Sequence, residues 1–422
     1  MEAMKKTLTC VLSICFFGLV LPGVYGHSEQ FPAEERVEYY ATISLRESPY
    51  PDFKGVVRLG EKEAMRRNHY RLYYDEQFRL VRIGFYLGNR LREPNHTANY
   101  FFTTPVQQLT YRDGQEIRTF SDRFGNAVSQ RGAFREVYQL DEQGRRTGLH
   151  FEDESGNRIE NDWGIAHYTW EHQPDGSVIE QRFDLTGALQ SLRPGFPFYT
   201  IRLYYEFHGS LALMQNIDKQ GNLVNNESGV AQDKLLFDRA GKWYGWRVLD
   251  KDHQLKSGNG PNVARGINIP DRYGYETSVR YEDDRGQDRK NAYGFWGSKR
   301  IYDRFGNYDY THFTDSTGQP GLNTETGYCY AEYTWDRAGF KRVKTELLDT
   351  RRRPVLHAKS GFSTITYSYD EHDNLIRVTY LGLNGEMVNR TDNGLAYIEH
   401  TYDERHKRKE TRRFNKAGEE IE

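Results

Sequence analysis

Tyr302-Asp303-Arg304-Phe305-Gly306 and the residues that follow to Trp335 decide how this chain folds. An aspartate followed three residues later by glycine is turn chemistry: the carboxylate caps backbone amides and the glycine takes φ > 0. Asn307 to Thr314 then alternate, with Tyr308, Tyr310 and His312 set against Asp309, Thr311 and Phe313, which is a strand period. Asp315-Ser316-Thr317-Gly318 makes a second turn and Asn323 to Gly327 a third punctuation. Tyr328 to Trp335 forms another strand that ends on the next aromatic-acid pair.

The same marks recur in both directions. Units open at Tyr74, Tyr111, Leu140, Trp170, Tyr205, Phe237, Pro270, Tyr302, Trp335, Tyr369 and Tyr402, roughly 33 residues apart. An acid follows the opening residue in ten of the eleven units; Arg112 is the exception. Second turns of the Asp-x-x-Gly type begin at Asp122, Asp153, Asp184, Asp218, Asp283 and Asp315, and Asn-x-x-Gly marks begin at Asn161, Asn226 and Asn291. Each unit therefore reads as two longer strands and a short one. A lone hairpin is marginal in water, so the units must bury one another's faces, with the opening aromatics along a common seam. The expected fold is all-β: tandem β-hairpin repeats in a long sheet. Open twisted sheets rarely pass about ten strands without curling, so this one should become a curled sheet, spiral or shell.

Residues 74–422 form the array. Residues 27–73 lack its marks and are expected to cap it, with a short helix near Glu61 to Arg67. At the other end the last unit carries His406 where glycine is usual and is rich in Lys and Arg, as a blunted edge should be. Residues 1–26 have the pattern of a secretory signal: Lys5 and Lys6, an apolar run from Leu8 to Val20, and small residues before His27. The expected location is outside the cytoplasm: periplasm, cell surface or medium. Cleavage would leave Cys329 alone among three cysteines, so no internal disulfide is expected and the thiol is expected to pack in a strand.

Hydrophobic residues make up 37%, but 31 Tyr and 23 Phe supply apolar area with polar tips, which argues against disorder. Acids and bases nearly cancel at −2 and are finely mixed, so no basic field points to nucleic acid. No apolar run outside the signal is long enough to span a bilayer.

The Tyr-Asp-x-x-Gly openings of an exported chain resemble the YD-repeat, or Rhs-type, proteins and other bacterial β-hairpin repeats over most of residues 74–422. The resemblance implies a β-rich extracytoplasmic protein. The period near 33 is longer than the usual YD spacing, and no payload domain follows the array, so toxicity is not implied.

Function in arrays sits where the period is interrupted. Three segments qualify: Gly88 to Gln107, Ser191 to Thr200, and Lys256 to Ile269, the last with Asn259, Asn262 and Arg265 among glycines. The first two mix planar rings with polar groups that suit a sugar. They nominate Arg90, Arg92, Asn95, His96, Tyr100, Phe101, Arg193, Phe196 and Tyr199; the competing reading is a loop that packs its own rings. Asp250-Lys251-Asp252 and Asp283-Asp284 lack the further oxygen ligands of a calcium loop, and the histidines show no zinc spacing, so neither metal nor cofactor is expected. No nucleophile elbow, phosphate loop or dinucleotide fingerprint is present. The sequence points to a non-enzymatic binder of a glycan or a protein partner. Alternatives are a self-assembling envelope component and a glycan-active enzyme with carboxylates in a shell cavity.

Overall fold

The computed structural model describes residues 36–94, 99–206 and 209–421. The signal pattern and the candidates Asn95 and His96 lie outside them. The described chain is almost entirely β, in one antiparallel sheet. Strand β1 (Arg36–Ile43) pairs with β2 (Gly55–Leu59) on one side and β3 (Asn68–Tyr74) on the other, and β3 pairs with β4 (Leu80–Leu87). From β4 onward each long strand pairs with the next in sequence, as far as Arg408–Phe414 and the short Glu420–Ile421. The one helix among the described residues is α1 (Glu61–Ala64).

The turns follow the sequence logic. Asp303 Oδ1 accepts the amides of Phe305 at 2.8 Å and Asn307 at 2.9 Å, and Gly306 has φ +81°. A register shift falls at the opening residue of nine units, including Ile301/Tyr302 and Thr334/Trp335, so the opening residue sits at a bulge beside a type I turn. Arg112 breaks the rule because its hairpin is closed by Asp113 and Gly114, both at positive φ, in the two-residue turn that needs no bulge. His406 takes the glycine position at φ +62°. The short third strand is a single bridge in most units, such as Thr314 with Pro320.

The opening aromatics do more than pack. Tyr302 Oη donates to Glu276 O, Tyr369 Oη to Arg342 O and Tyr402 Oη to Leu375 O, each at 2.9 Å, and Trp335 Nε1 donates to Tyr308 O at 2.8 Å. Each ring thus ties the end of one strand to the start of the strand one hairpin back, with its polar tip spent on the backbone.

The sheet curls because the late turns dock on the early strands. Tyr273 Oη donates to Glu63 at 3.0 Å and Asn68 N donates to Phe305 O at 2.7 Å. One unit on, Arg92 Nη1 shares Asn68 Oδ1, Asn307 Oδ1 and Gly339 O, each at 3.0 Å. Further along, Arg123 reaches His372 O, Asn126 reaches Arg405 O, and Lys407 pairs with Glu154. Five successive opening turns therefore step along the N-terminal part of the sheet. Among the described residues no strand pairing joins the two ends, so the sheet is open and curled.

The connection between β1 and β2 fills the concave side of the early units. Arg46 and Ser48 are buried within it, Ser48 Oγ bonds Glu180, Asp52 pairs with Arg146, and Tyr50 lies 5.4 Å from the Trp170 ring. The largest apolar cluster, which includes Tyr138, Leu149, Trp170, Phe198 and Leu203, lies behind this insertion. The late units share a smaller cluster around Leu347, Phe362 and Tyr380.

Asp233 sits near this interior, 3% exposed, with Oδ1 lacking a partner. Burial and the Glu47 charge push its carboxyl up to about 8, against the opposing pull of Arg193. The folded state therefore binds more protons than the unfolded one between about pH 4 and pH 8, and stability falls across that window as pH rises. Asp233→Asn should match wild type near pH 4 and melt progressively higher than it toward pH 9. Parallel melting curves at all pH values would contradict the placement of this carboxylate.

Candidate functional site

The strand Trp243–Leu249 carries two of the chain's six tryptophans on one face. Trp246 lies opposite Gly266 in the neighbouring strand Arg265–Pro270, and a Cβ on Gly266 would fall 2.0 Å from the indole. Glycine here is a space requirement: it lets the large ring lie flat across the ladder. Trp243 stacks on Trp246 with centroids 5.5 Å apart, and Tyr281 meets Trp246 edge-on at 6.1 Å.

These rings wall a cavity of about 650 Å³ between the N-terminal strands and the opening turns of three late units. Thr42, Ile43, Val56 and Tyr70 face Tyr275, Tyr302 and Tyr308 across it. The size is that of an ordinary small-ligand site. Its polar groups are few and converge. Asn268 is 4% exposed, and neither its amide nitrogen nor its oxygen has a partner. Trp243 Nε1 is likewise buried without an acceptor. Glu276 and Arg300 form an ion pair on the next two strands of the same wall. Buried amide atoms are nearly always hydrogen-bonded, so an Asn with both ends open toward a cavity is prepared for a ligand or water with donor and acceptor groups.

The described residues among those nominated from sequence lie elsewhere, in two clusters. In the first, Arg193 forks onto Glu47 at 2.9 and 3.2 Å, with its guanidinium 3.6 Å over Phe196 and 4.9 Å from Tyr100. Phe101 is buried edge-on to Trp163 at 5.9 Å. Tyr199 lies beside this cluster with an exposed ring, and its carbonyl accepts from Arg182. In the second, Arg92 is buried at the docked turns, and Arg90 lies 3.8 Å over Phe340 while pairing with Asp373. Both interrupted segments thus pack rings beneath cations and tie the curl together. Trp243 and Trp246 stand in a regular strand outside the interrupted segments, whereas Asn268 falls inside the third one, Lys256 to Ile269, and was not among the nominated residues. The available signal was Gly245 and Gly266, two glycines inside strand patterns beside two tryptophans.

Cys329 is fully buried, and burial pushes its thiol up to about 11, which makes it a packing residue. Among the described residues no helix is long and apolar enough to cross a membrane.

No protein-family model matches the sequence, and no curated protein matches it. Among solved structures, the chain is similar to the crystal structure of TcdB2-TccC3-Cdc42 at 9% identity and a TM-score of 0.22, covering 89% of this chain and 21% of that one. It is also similar to that of TcdB2-TccC3-TEV at 11% identity and a TM-score of 0.17, covering 93% and 25%. The chain spans about a quarter or less of the length of those chains. The likeness is distant, and what stands on the strand pairing itself is a β-hairpin repeat scaffold.

Proposed function

We propose that this repeat scaffold is an exported, non-enzymatic protein that binds a glycan segment in the cavity between its N-terminal strands and its late opening turns. The observation that carries the reading is the pairing of stacked Trp243 and Trp246 with the buried, open amide of Asn268. A pyranose offers an apolar face to an indole and hydroxyls to an amide that can both donate and accept. A single planar wall with no amide would suit an apolar ligand instead. Export is supported by the pattern of Lys5, Lys6 and the Leu8 to Val20 run.

A glycan array probed with the mature protein should retain a defined set of oligosaccharides. Trp243→Ala should weaken their binding by roughly two- to tenfold, since an aromatic stack is worth about 0.5–1.5 kcal/mol. Asn268→Ala should weaken it by a similar factor at unchanged melting temperature. Retention that ignores both substitutions would remove the cavity from the reading. Edman sequencing of protein from the culture fluid or periplasm should begin near His27; a full-length cytoplasmic product would overturn export.

A further inference from the structure

A second groove lies on the concave side, separate from the tryptophan cavity and meeting it at Pro94, which lines both. It has a volume of about 780 Å³ and runs between the early segments Arg92 to Pro94, Thr103 to Pro105 and Asp122 to Phe134, and the opening turns of the last three units. Its floor includes the opening aromatics Trp335, Tyr369 and Tyr402 of those three units. Their polar tips are spent on the backbone, so they offer the groove ring surface.

The charge of the groove is lopsided. Arg92, Arg123, Lys341, Arg342, Lys407 and Arg408 line it against Glu93, Asp122 and Asp373. Four of the cations are engaged: Arg92 by Asn68, Asn307 and Gly339, Arg123 by His372 and Asn374, Lys341 by Asp373, and Lys407 by Glu154. Arg342 and Arg408 form no salt bridge among the described residues, and Glu93 is the acid that feels the charge of Arg408 across the groove. Arg342 instead lies 4.7 Å over the Tyr367 ring, itself part of the wall. Glu93 has no ion-pair partner either. It reaches solvent in the groove, yet its flanking walls and the Asp122 charge push its carboxyl up to about 7, against the pull of Arg408, Arg123 and Arg92.

We infer that this groove binds an acidic oligosaccharide, its anionic groups drawn to Arg342 and Arg408 and its sugar faces laid on the rings of Trp335, Tyr369 and Tyr402. The two cations occupy the same place in their hairpins, four strands apart, so on the order of 19 Å of sheet separates them. That spacing suits a polymer whose charges are sparse. Duplex nucleic acid carries a charge about every 1.7 Å and demands a denser cationic track. The inference extends the glycan reading to a second site and to a charged ligand, and it stands or falls on different residues.

Calorimetry on the full chain tests it with four probes of matched length: lightly sulfated dextran, partly methyl-esterified polygalacturonate, neutral dextran and oligothymidylate. Binding of either acidic glycan and not of neutral dextran is expected, and which of the two binds tells sulfate esters from uronates. Arg342→Ala and Arg408→Ala should each weaken that binding by roughly five- to tenfold and flatten its salt dependence. Glu93→Gln should strengthen it at pH 8, a gain that misfolding cannot produce. Asn268→Ala should leave it unchanged, so loss of the cavity reading and loss of this one are told apart. Acidic-glycan binding indifferent to all three groove substitutions, or tighter binding of oligothymidylate through the same arginines, would overturn the inference.

Discussion

Glu180→Ala should destabilise the protein by about 3–5 kcal/mol, because it strips the partner from a fully buried charge. Glu180 and Arg182 are both inaccessible to solvent, and Arg182 Nη1 donates to Glu180 Oε1 at 2.6 Å. The other carboxylate oxygen accepts from Trp170 Nε1 at 2.8 Å and from Ser48 Oγ. One residue therefore ties the sheet, the aromatic core and the insertion between β1 and β2. Alanine leaves the guanidinium, the indole and the hydroxyl without their acceptor, and each buried orphan costs on the order of 1–3 kcal/mol. Arg182 keeps the carbonyls of Phe198 and Tyr199. They hold its Nη2 and leave Nη1 without its acceptor and the charge unbalanced. Replacing Glu180 and Arg182 together by leucine should recover only the part due to the unbalanced charge, because Trp170 Nε1, Ser48 Oγ and the carbonyls of Phe198 and Tyr199 are then left without these partners. Chemical denaturation of the two variants checks both statements. A Glu180→Ala protein within 1 kcal/mol of wild type would mean that the insertion is not seated as described.

Gly306→Val should cost about 2–5 kcal/mol and Gly318→Val clearly less, about 1–2 kcal/mol. Both glycines have nearly the same backbone, φ +81° and +78°, so the strain of a β-branched residue at positive φ is common to both. Their surroundings differ. A Cβ on Gly318 meets nothing within 4 Å, whereas one on Gly306 falls 2.9 Å from the ring and hydroxyl of Tyr275. That ring lies on the seam, 5.0 Å from Tyr302, and its hydroxyl reaches Asn68 O in β3. The difference between the two variants therefore isolates unit-to-unit packing from backbone strain. Equal losses in melting temperature would show that the opening turns do not pack on one another.

The same pair of glycines marks what the sequence could and could not convey. Both are legible as turn glycines, because a turn is written in neighbouring residues: Asp303 with Gly306, Asp315 with Gly318. Strand alternation and the repeat are local in the same sense, and so is the third mark at Asn323. The purpose of the opening aromatic was only half legible. Its apolar payload follows from composition, but the bond from Tyr369 to Arg342 O joins residues whose pairing exists only in the assembled sheet. The curl was not legible beyond the argument that so long a sheet must bend. It depends on contacts such as Arg92 with Asn307 and Asn126 with Arg405, between segments whose separation no period encodes. The candidate sites show the same division. Interruptions of the period mark where the chain leaves the pattern, and Arg193, Phe196 and Tyr100 leave it to pack. The tryptophan cavity forms where strands of one arm face the N-terminal strands of the other, so its only local sign is the third interruption, which holds Asn268 and the Gly266 that makes room for Trp246.

The central claim is that a sugar occupies the space walled by Trp243 and Trp246 and satisfies Asn268. A crystal of the protein soaked with the oligosaccharide that the array selects tests it directly. The expected result is a sugar ring stacked on the indoles, with hydroxyls in hydrogen-bond contact with both atoms of the Asn268 amide. A ligand seated on another face, with the amide of Asn268 still facing an unoccupied cavity, would contradict it.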